Sequence, residues 1–417
     1  MELSASFSQA CLPMSLASSV PGPLAGLRII EFSAFVAVPS AGRALAQLGA
    51  EVIRIDPPGG NIDTRRLPLN AEGRSLYWGS LNQGKRSVIL DLRSAEGQAR
   101  LRALLGKPGE PGGIFLTNLG VEGALSDAAL RAHRADLITV RLIGSSDGRN
   151  AVDYTVNCAT GYPLITGSGG APTNHVLPAW DLVAGMTLAT AILAAERHRM
   201  RTGEGQEVRL ALSDVAFAAT AALGNIADIE VNGAHRHADG NHLYGAYGDA
   251  FQIADGSWVM VVALSHRQWK ALIQAIGLEE AIQTAAGALG YRLDTEGGRW
   301  EARSLISTAL KPWFARQTRA GLEAAFRDPS ILWGRHQTLE QALAEDPRLS
   351  EANPMFRRME HPGYGRYLTA GSPLDFSRFP RTIPALAPQL GADTEAILAG
   401  LSDTSVPVTP QDESTSQ

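Results

Sequence analysis

The stretch "LRIIEFSAFVAVPSAGRALAQLGAEVIRID", residues 27–56, decides the fold. An apolar run gives way to small residues at helical spacing, then to a glycine and a second apolar run. That pattern is a βαβ unit, and a crossover of this length requires its two strands to lie parallel. Downstream, "RSVILDL", "GIFLTNL" and "LITVRLIG" read as further strands, with helical "SAEGQARLRALLG" and "SDAALRAHRA" between them. The alternation predicts an α/β fold with a doubly wound parallel sheet. Residues 181–200 and 212–230 read as two Ala-rich helices flanking the strand in "RTGEGQEVRLAL". The hairpin "FQIADGSWVMVVAL", turned by Asp-Gly, opens a smaller α+β domain that runs in helical segments to about residue 345. The strand-and-turn segment "NPMFRRMEHPGYGRYLTAGSPLDFS" is expected to rejoin the first domain.

With 417 residues the chain is long enough for two or three domains of ~100–200 residues. The composition, 45% apolar with 43 Gly and 23 Pro, suits a globular α/β protein rich in turns. A net charge of -5 gives no reason to expect a nucleic-acid partner. The two cysteines, Cys11 and Cys158, stand in no metal spacing and read as reduced thiols. The uncharged run Leu182 to Ala195 falls short of the ~20 residues a membrane span needs, so no membrane partner is expected. Residues 1–22 lack the basic start of a signal peptide and read, like the polar tail 403–417, as disordered. The expected location is the cytoplasm.

The familiar chemistries fail one by one. The turn "SAFVAVPSAG" has no G-x-G-x-x-G for a pyrophosphate, and no P-loop occurs. The nine histidines form no H-E-x-x-H, and no G-x-S-x-G supplies a nucleophilic serine, so neither a metal nor a permanently bound cofactor is expected. Carboxylate chemistry remains. In "HVLPAWDLVAGM", residues 175–186, Asp181 heads a run that carries no other charge until Glu196. It is either a helix cap or a nucleophile held ionised by the helix dipole. Basic residues gather in "NIDTRRL" and "NQGKRSVILDLR", where Arg65, Arg66, Lys85, Arg86 and Arg93 are phosphate ligands or solvated surface. For a second carboxylate on a substrate, His175, Asn174, Tyr154 and Arg141 are possible partners.

The segments "PLAGLRIIEFS", "LAQLGAEVIRIDPPGG", "LNQGKRSVILDLRSAEG", "LTNLGVEG" and "WDLVAGMTLATAILAAERHRMRTGEGQEVRLALSD" together resemble the family III CoA-transferases over residues 23–215. Further, "EFSAFVAVPSAG", "DYTVN", "NHVLPAWDLVAG", "AERHR", "GNHLYGAYG" and "GSPLDF" resemble the branch that moves CoA between the two carboxylates of mesaconate, a step of 3-hydroxypropionate carbon assimilation. The resemblance implies that Asp181, ahead of "RTGEGQ", is the nucleophile. It implies CoA contacts at Ala37, Leu90, Asp91, Arg93, Asn118 and Gly120, beside Arg65. CoA enters with an acyl-CoA substrate rather than as a resident cofactor. The family's basic residues after the second strand and after "TNLG" are Pro57 and Ser126 here. Racemases of the family carry His before the Asp of "AVDYTVN", where this chain has Val152, which favours transfer over proton abstraction. "GNHLYGAYG" is either a water-excluding flap with Gly240, Tyr244 and Gly245 or an interdomain linker. The implied architecture is a Rossmann-like large domain (23–225, rejoined by 346–402), a linker (226–245), a small domain (246–345) and an intertwined homodimer. An intermolecular transferase acting between an acyl-CoA and a free acid is the alternative.

Overall fold

A computed structural model describes residues 22–109 and 112–402. The disordered extension and tail expected at 1–22 and 403–417, and with them Cys11, fall outside those residues except for Gly22. The described chain divides into two compact units. One comprises 22–151, 179–215 and 350–402; the other comprises 152–178 and 216–349.

The first unit is built on six parallel strands: β1 (Arg28–Phe32), β2 (Glu51–Asp56), β3 (Arg86–Ile89), β4 (Ile114–Thr117), β5 (Ile138–Ile143) and β6 (Glu207–Ala211). Their order, β3-β2-β1-β4-β5-β6, is doubly wound, and the direction of winding reverses between β1 and β4. Residues Ile29, Ile30, Ile53, Ile55, Val88, Phe115 and Val140 are buried, as strands covered on both faces require. The helix Ala37–Gln47 returns from β1 to β2 through Gly49, whose φ of +99° only glycine adopts cheaply.

The helix Ala179–Thr202 is by length and composition able to cross a membrane, which the uncharged core of its sequence did not suggest. It buries Ala184, Gly185, Leu188, Ile192 and Ala195 along one face. That spacing is a helical stripe, and it packs on Ala37–Gln47. Its outer face leaves Val183, Met186 and Leu193 exposed.

Residues 350–402 rejoin this unit through a hairpin and a terminal helix, Thr394–Ser402. Along the exposed edge of β3, Asp393 Oδ2 accepts from the Ser87 amide (2.9 Å) and Thr394 Oγ1 from the Ile89 amide (3.0 Å). Side chains here replace the strand that an open edge would otherwise recruit.

In the second unit β7 (Tyr247–Gln252), β8 (Trp258–Ala263) and β9 (Leu332–Arg335) form an antiparallel sheet. Trp269, Leu272, Ile306, Leu310 and Phe314 from two helices close its core. The expected boundaries shift. Residues 152–178 belong to the second unit, whose later segment begins at Ala216 rather than after 245, and the expected linker 226–245 overlaps the helix Asn225–Asn232. The helix read over 212–230 is broken at Leu223 and Gly224, where Gly224 takes a left-handed φ of +75°. The remaining strands, β10 (Phe356–His361) and β11 (Gly365–Ala370), make the hairpin of the first unit.

Candidate active site

Ligands of doubly wound sheets bind outside the carboxyl ends of the strands where the winding reverses. Here that place is the turn after β1. Its backbone is held at every step by side chains from elsewhere. Arg54 and Asn61 donate to the Ser33 carbonyl (3.0 and 3.2 Å), Asn118 bonds both the amide and the carbonyl of Ala34 (3.0 and 2.8 Å), and Asp63 Oδ2 accepts from the Phe35 amide (3.0 Å). Phe35 is the only non-glycine among the described residues with a positive φ, +67°. Such strain persists only where surroundings impose it.

Beneath the turn lies a buried ionic cluster. Arg54 grips Asp56 with two bonds (2.9 and 3.0 Å), reaches Asp63 at 3.2 Å and Asn82 at 3.1 Å, and rests on the Trp78 ring. Lys85 donates to Glu31, the Pro39 carbonyl and Asn82. Burial pushes the Lys85 ammonium down to about 8, although Glu31 beside it opposes the shift. Burial likewise raises the Asp63 carboxyl above the usual range, against the pull of Arg54. For Arg54, burial is outweighed by Asp56, Asp63 and Glu31, and its charge is held firmly.

Above the turn Phe35, Gly60, Asn61, Ile62, Arg65 and Arg66 line an open groove of about 500 Å³. The Arg66 guanidinium lies over the rings of both Phe35 and Tyr77, at 5.8 and 5.2 Å. The groove is cationic and aromatic, a surface suited to a nucleotide or other phosphate-bearing ligand.

Asp181 is the third residue of the helix Ala179–Thr202, so it is not the cap; Pro178 holds the preceding position. In the first turn a carboxylate is stabilised by the unpaired amides and the dipole. Asp181 lies three and four positions before Ala184 and Gly185, on the face the helix buries. A Cβ on Gly185 would overlap Ser40 Oγ and stand 2.8 Å from the Ala37 carbonyl oxygen. The two helices thus touch backbone to backbone, and Asp181 lies about one turn, ~6 Å along its own helix axis, before Gly185.

The other expected contacts divide. Ala37 opens its helix and is buried, Gly120 is exposed after β4, and Arg65 is exposed at the groove. Leu90 is core. Asp91 and Arg93 are paired with each other (2.9 Å), which holds the Asp91 carboxyl below the usual range. Asn118 spends its amide on Ala34. Lys85 is no phosphate ligand: it is spent on Glu31 inside the core. Arg86 is spent on Glu51 and Asp393. Nothing in the sequence of Lys85 distinguishes it from a surface lysine, because its partner lies 54 residues away.

In the second unit Gly240 bonds Gly167 (2.8 Å), and Tyr244 lies between the Arg236 guanidinium (3.9 Å) and the edge of Trp300 (5.1 Å), ahead of Gly245. Asp153, buried at the start of its helix, meets His175 Nε2 at 2.7 Å. The imidazole that Val152 fails to supply in sequence therefore arrives from 22 positions downstream. Its absence can no longer be the ground for setting proton abstraction aside. Asn157 binds Asn174 (3.1 Å) in the same segment, and in the first unit Arg141 lies 3.6 Å from Glu207. Among the described residues no group of three or more His, Cys, Asp or Glu is placed to hold a metal ion.

The winding switch of the sheet thus carries a cationic, aromatic groove suited to a phosphate-bearing ligand, and a carboxylate stands in the first turn of the helix Ala179–Thr202. The model of CoA-transferase family III matches residues 24–394. The chain is 48% identical over 391 residues to the 2-methylfumaryl-CoA isomerase of Chloroflexus aurantiacus, covering 92% of this chain and 96% of that one. It is 28% identical to the succinyl-CoA–D-citramalate CoA-transferase of the same organism, over 78% of this chain and 81% of that one. The crystal structure of a CaiB/BaiF family protein from Brucella suis shares the fold, with a TM-score of 0.75 over 91% of this chain and 100% of that one at 24% identity. The chain belongs to CoA-transferase family III.

Proposed function

We propose that the protein is an intramolecular CoA transferase that converts 2-methylfumaryl-CoA to 3-methylfumaryl-CoA with Asp181 as nucleophile. The observation that carries this reading is the 48% identity, along nearly the whole of both chains, to a relative named for that isomerisation. A carboxylate with an ordinary pKa of ~3.9 needs no general base at neutral pH. Its oxygen attacks the thioester carbonyl, the C–S bond breaks, and an acyl-aspartyl anhydride and CoA thiolate result. The thiolate attacks the Asp181 carbonyl and expels the dicarboxylate, leaving an aspartyl-CoA thioester. The dicarboxylate then offers its other carboxylate, and the two steps run in reverse, returning CoA to C4 and Asp181 to its free form. No proton is gained or lost.

The reading includes a cytoplasmic homodimer with no resident metal or cofactor. The uncovered apolar side chains Val183, Met186 and Leu193 support a second copy lying against that helix. Two experiments test the function. Asp181→Ala is expected to lower kcat by at least about 10³-fold, and mass spectrometry of enzyme quenched during turnover is expected to find the acyl or CoA adduct on Asp181. Incubation with labelled free mesaconate is expected to leave the thioester pool unlabelled. Entry of label would favour the intermolecular reading, which the D-citramalate transferase relative supports.

A further inference from the structure

The turn after β1 combines an energetically unfavourable backbone with a complete set of side-chain restraints. Of the four backbone groups of Ser33–Phe35 that side chains bond, three, the Ser33 carbonyl and both groups of Ala34, are fixed by uncharged or fully paired side chains. The fourth, the Phe35 amide, belongs to the strained residue itself and is held by Asp63. Asp63 is 1% exposed and sits in the short turn Ile62–Arg65, the segment that brings Ile62, Arg65 and Arg66 to the groove. Its Oδ2 also faces Arg54 at 3.2 Å, so the carboxylate is oriented from below and bonds Phe35 above. Ring, cationic rim and helix start are thereby tied to one carboxylate.

We propose that Asp63 is a positioning residue for the CoA portion of the substrate. By holding the Phe35 amide it keeps the left-handed turn that presents the Phe35 ring to the groove and fixes the rim of Ile62–Arg66 against it. It touches no reacting atom. Its loss weakens binding of the carrier and leaves the chemical step at Asp181 in place. The proposal rests on the acyl-CoA reading above but not on the isomerase reaction, because the groove can be probed with CoA alone.

The test is calorimetric titration of free CoA, with steady-state turnover of 2-methylfumaryl-CoA alongside. Asp63→Ala is expected to raise the Kd for CoA and the KM by at least about tenfold, with kcat at saturation within about threefold of the parent. Asp63→Asn, whose amide oxygen still accepts from the Phe35 amide, is expected to restore Kd to within about threefold. Phe35→Gly provides the second arm, since glycine adopts the left-handed conformation without strain. In that background Asp63→Ala is expected to change Kd far less than it does alone, and the double variant remains testable even where Asp63→Ala does not fold. Unchanged CoA affinity in folded Asp63→Ala, equal losses with either residue at position 35, or a kcat that falls while Kd holds would each overturn the assignment. Normal CoA binding by the parent with no turnover would overturn the isomerase reading and leave the role of Asp63 standing.

Discussion

A buried lysine shows how far single residues can mislead. Lys85 stands in "NQGKRSV", a setting that reads as a basic rim, yet its ammonium is enclosed by Glu31, the Pro39 carbonyl and Asn82. It fits only because Gly42 above it has no side chain: a Cβ there would collide with Glu31 and lie 3.1 Å from the Lys85 stem. Removing one partner of such a pair leaves the other charged in a dry site. Lys85→Met is therefore expected to lower stability by about 3–5 kcal/mol, seen as a reduced urea midpoint with an unchanged slope. A loss below about 1 kcal/mol would mean the site is wetter than the structure has it. The pairing of His175 with Asp153 is the same lesson in reverse. Each residue is plain in the sequence, and only the fold reveals that they meet. Asp181, by contrast, stands out in the sequence because no other charge follows it until Glu196, although the residues alone left cap and nucleophile both open.

Elements were more legible than residues. Six strands follow from the apolar runs, which local periodicity records directly, whereas their order in the sheet depends on pairings between distant segments and is not legible there. The helix read over 212–230 failed at Leu223 and Gly224 because a single glycine inside an Ala-rich pattern lowers helix propensity without revealing whether the chain bends. It bends by 59°. The contact between Ala37–Gln47 and Ala179–Thr202 depends on one absent side chain, that of Gly185. Gly185→Ala is expected to push the helices apart at a cost of about 1–3 kcal/mol and, because Asp181 rides one turn away, to lower kcat as well. Adding Ser40→Ala removes one of the two overlaps and is expected to recover part of both losses. Measurement of thermal midpoint and turnover for the single and double variants decides it; no recovery would place the strain elsewhere.

At the scale of the whole molecule the sequence conveyed two domains and a return of the chain, but it placed the boundaries by composition. The assignment of 152–178 to the second unit has no compositional mark. The returning segment is locked by His361, which is buried in the β10–β11 hairpin. Its Nδ1 accepts from the Ala387 amide (2.9 Å) and its Nε2 lies 2.7 Å from Thr369 Oγ1. That bonding describes a neutral ring, and burial lowers its pKa below 6.5, with Glu360 opposing. The unfolded chain thus takes up the proton first as pH falls, so the lock's contribution is present above pH ~6.5 and is lost as pH drops from there toward the lower folded value. The thermal midpoint is expected to fall between pH 7.5 and 5.5, and His361→Gln, which can still accept from Ala387, is expected to flatten that slope. An equal slope in both proteins would assign the acid sensitivity to other groups.

The side chains that seal β3 have a consequence for biosynthesis. Ile89 waits for Thr394, 305 positions later, so a ribosome adding about 5–20 residues per second leaves that strand uncapped for roughly 15–60 s. During this interval the nascent chain carries an open adhesive border on which a strand of another chain can pair.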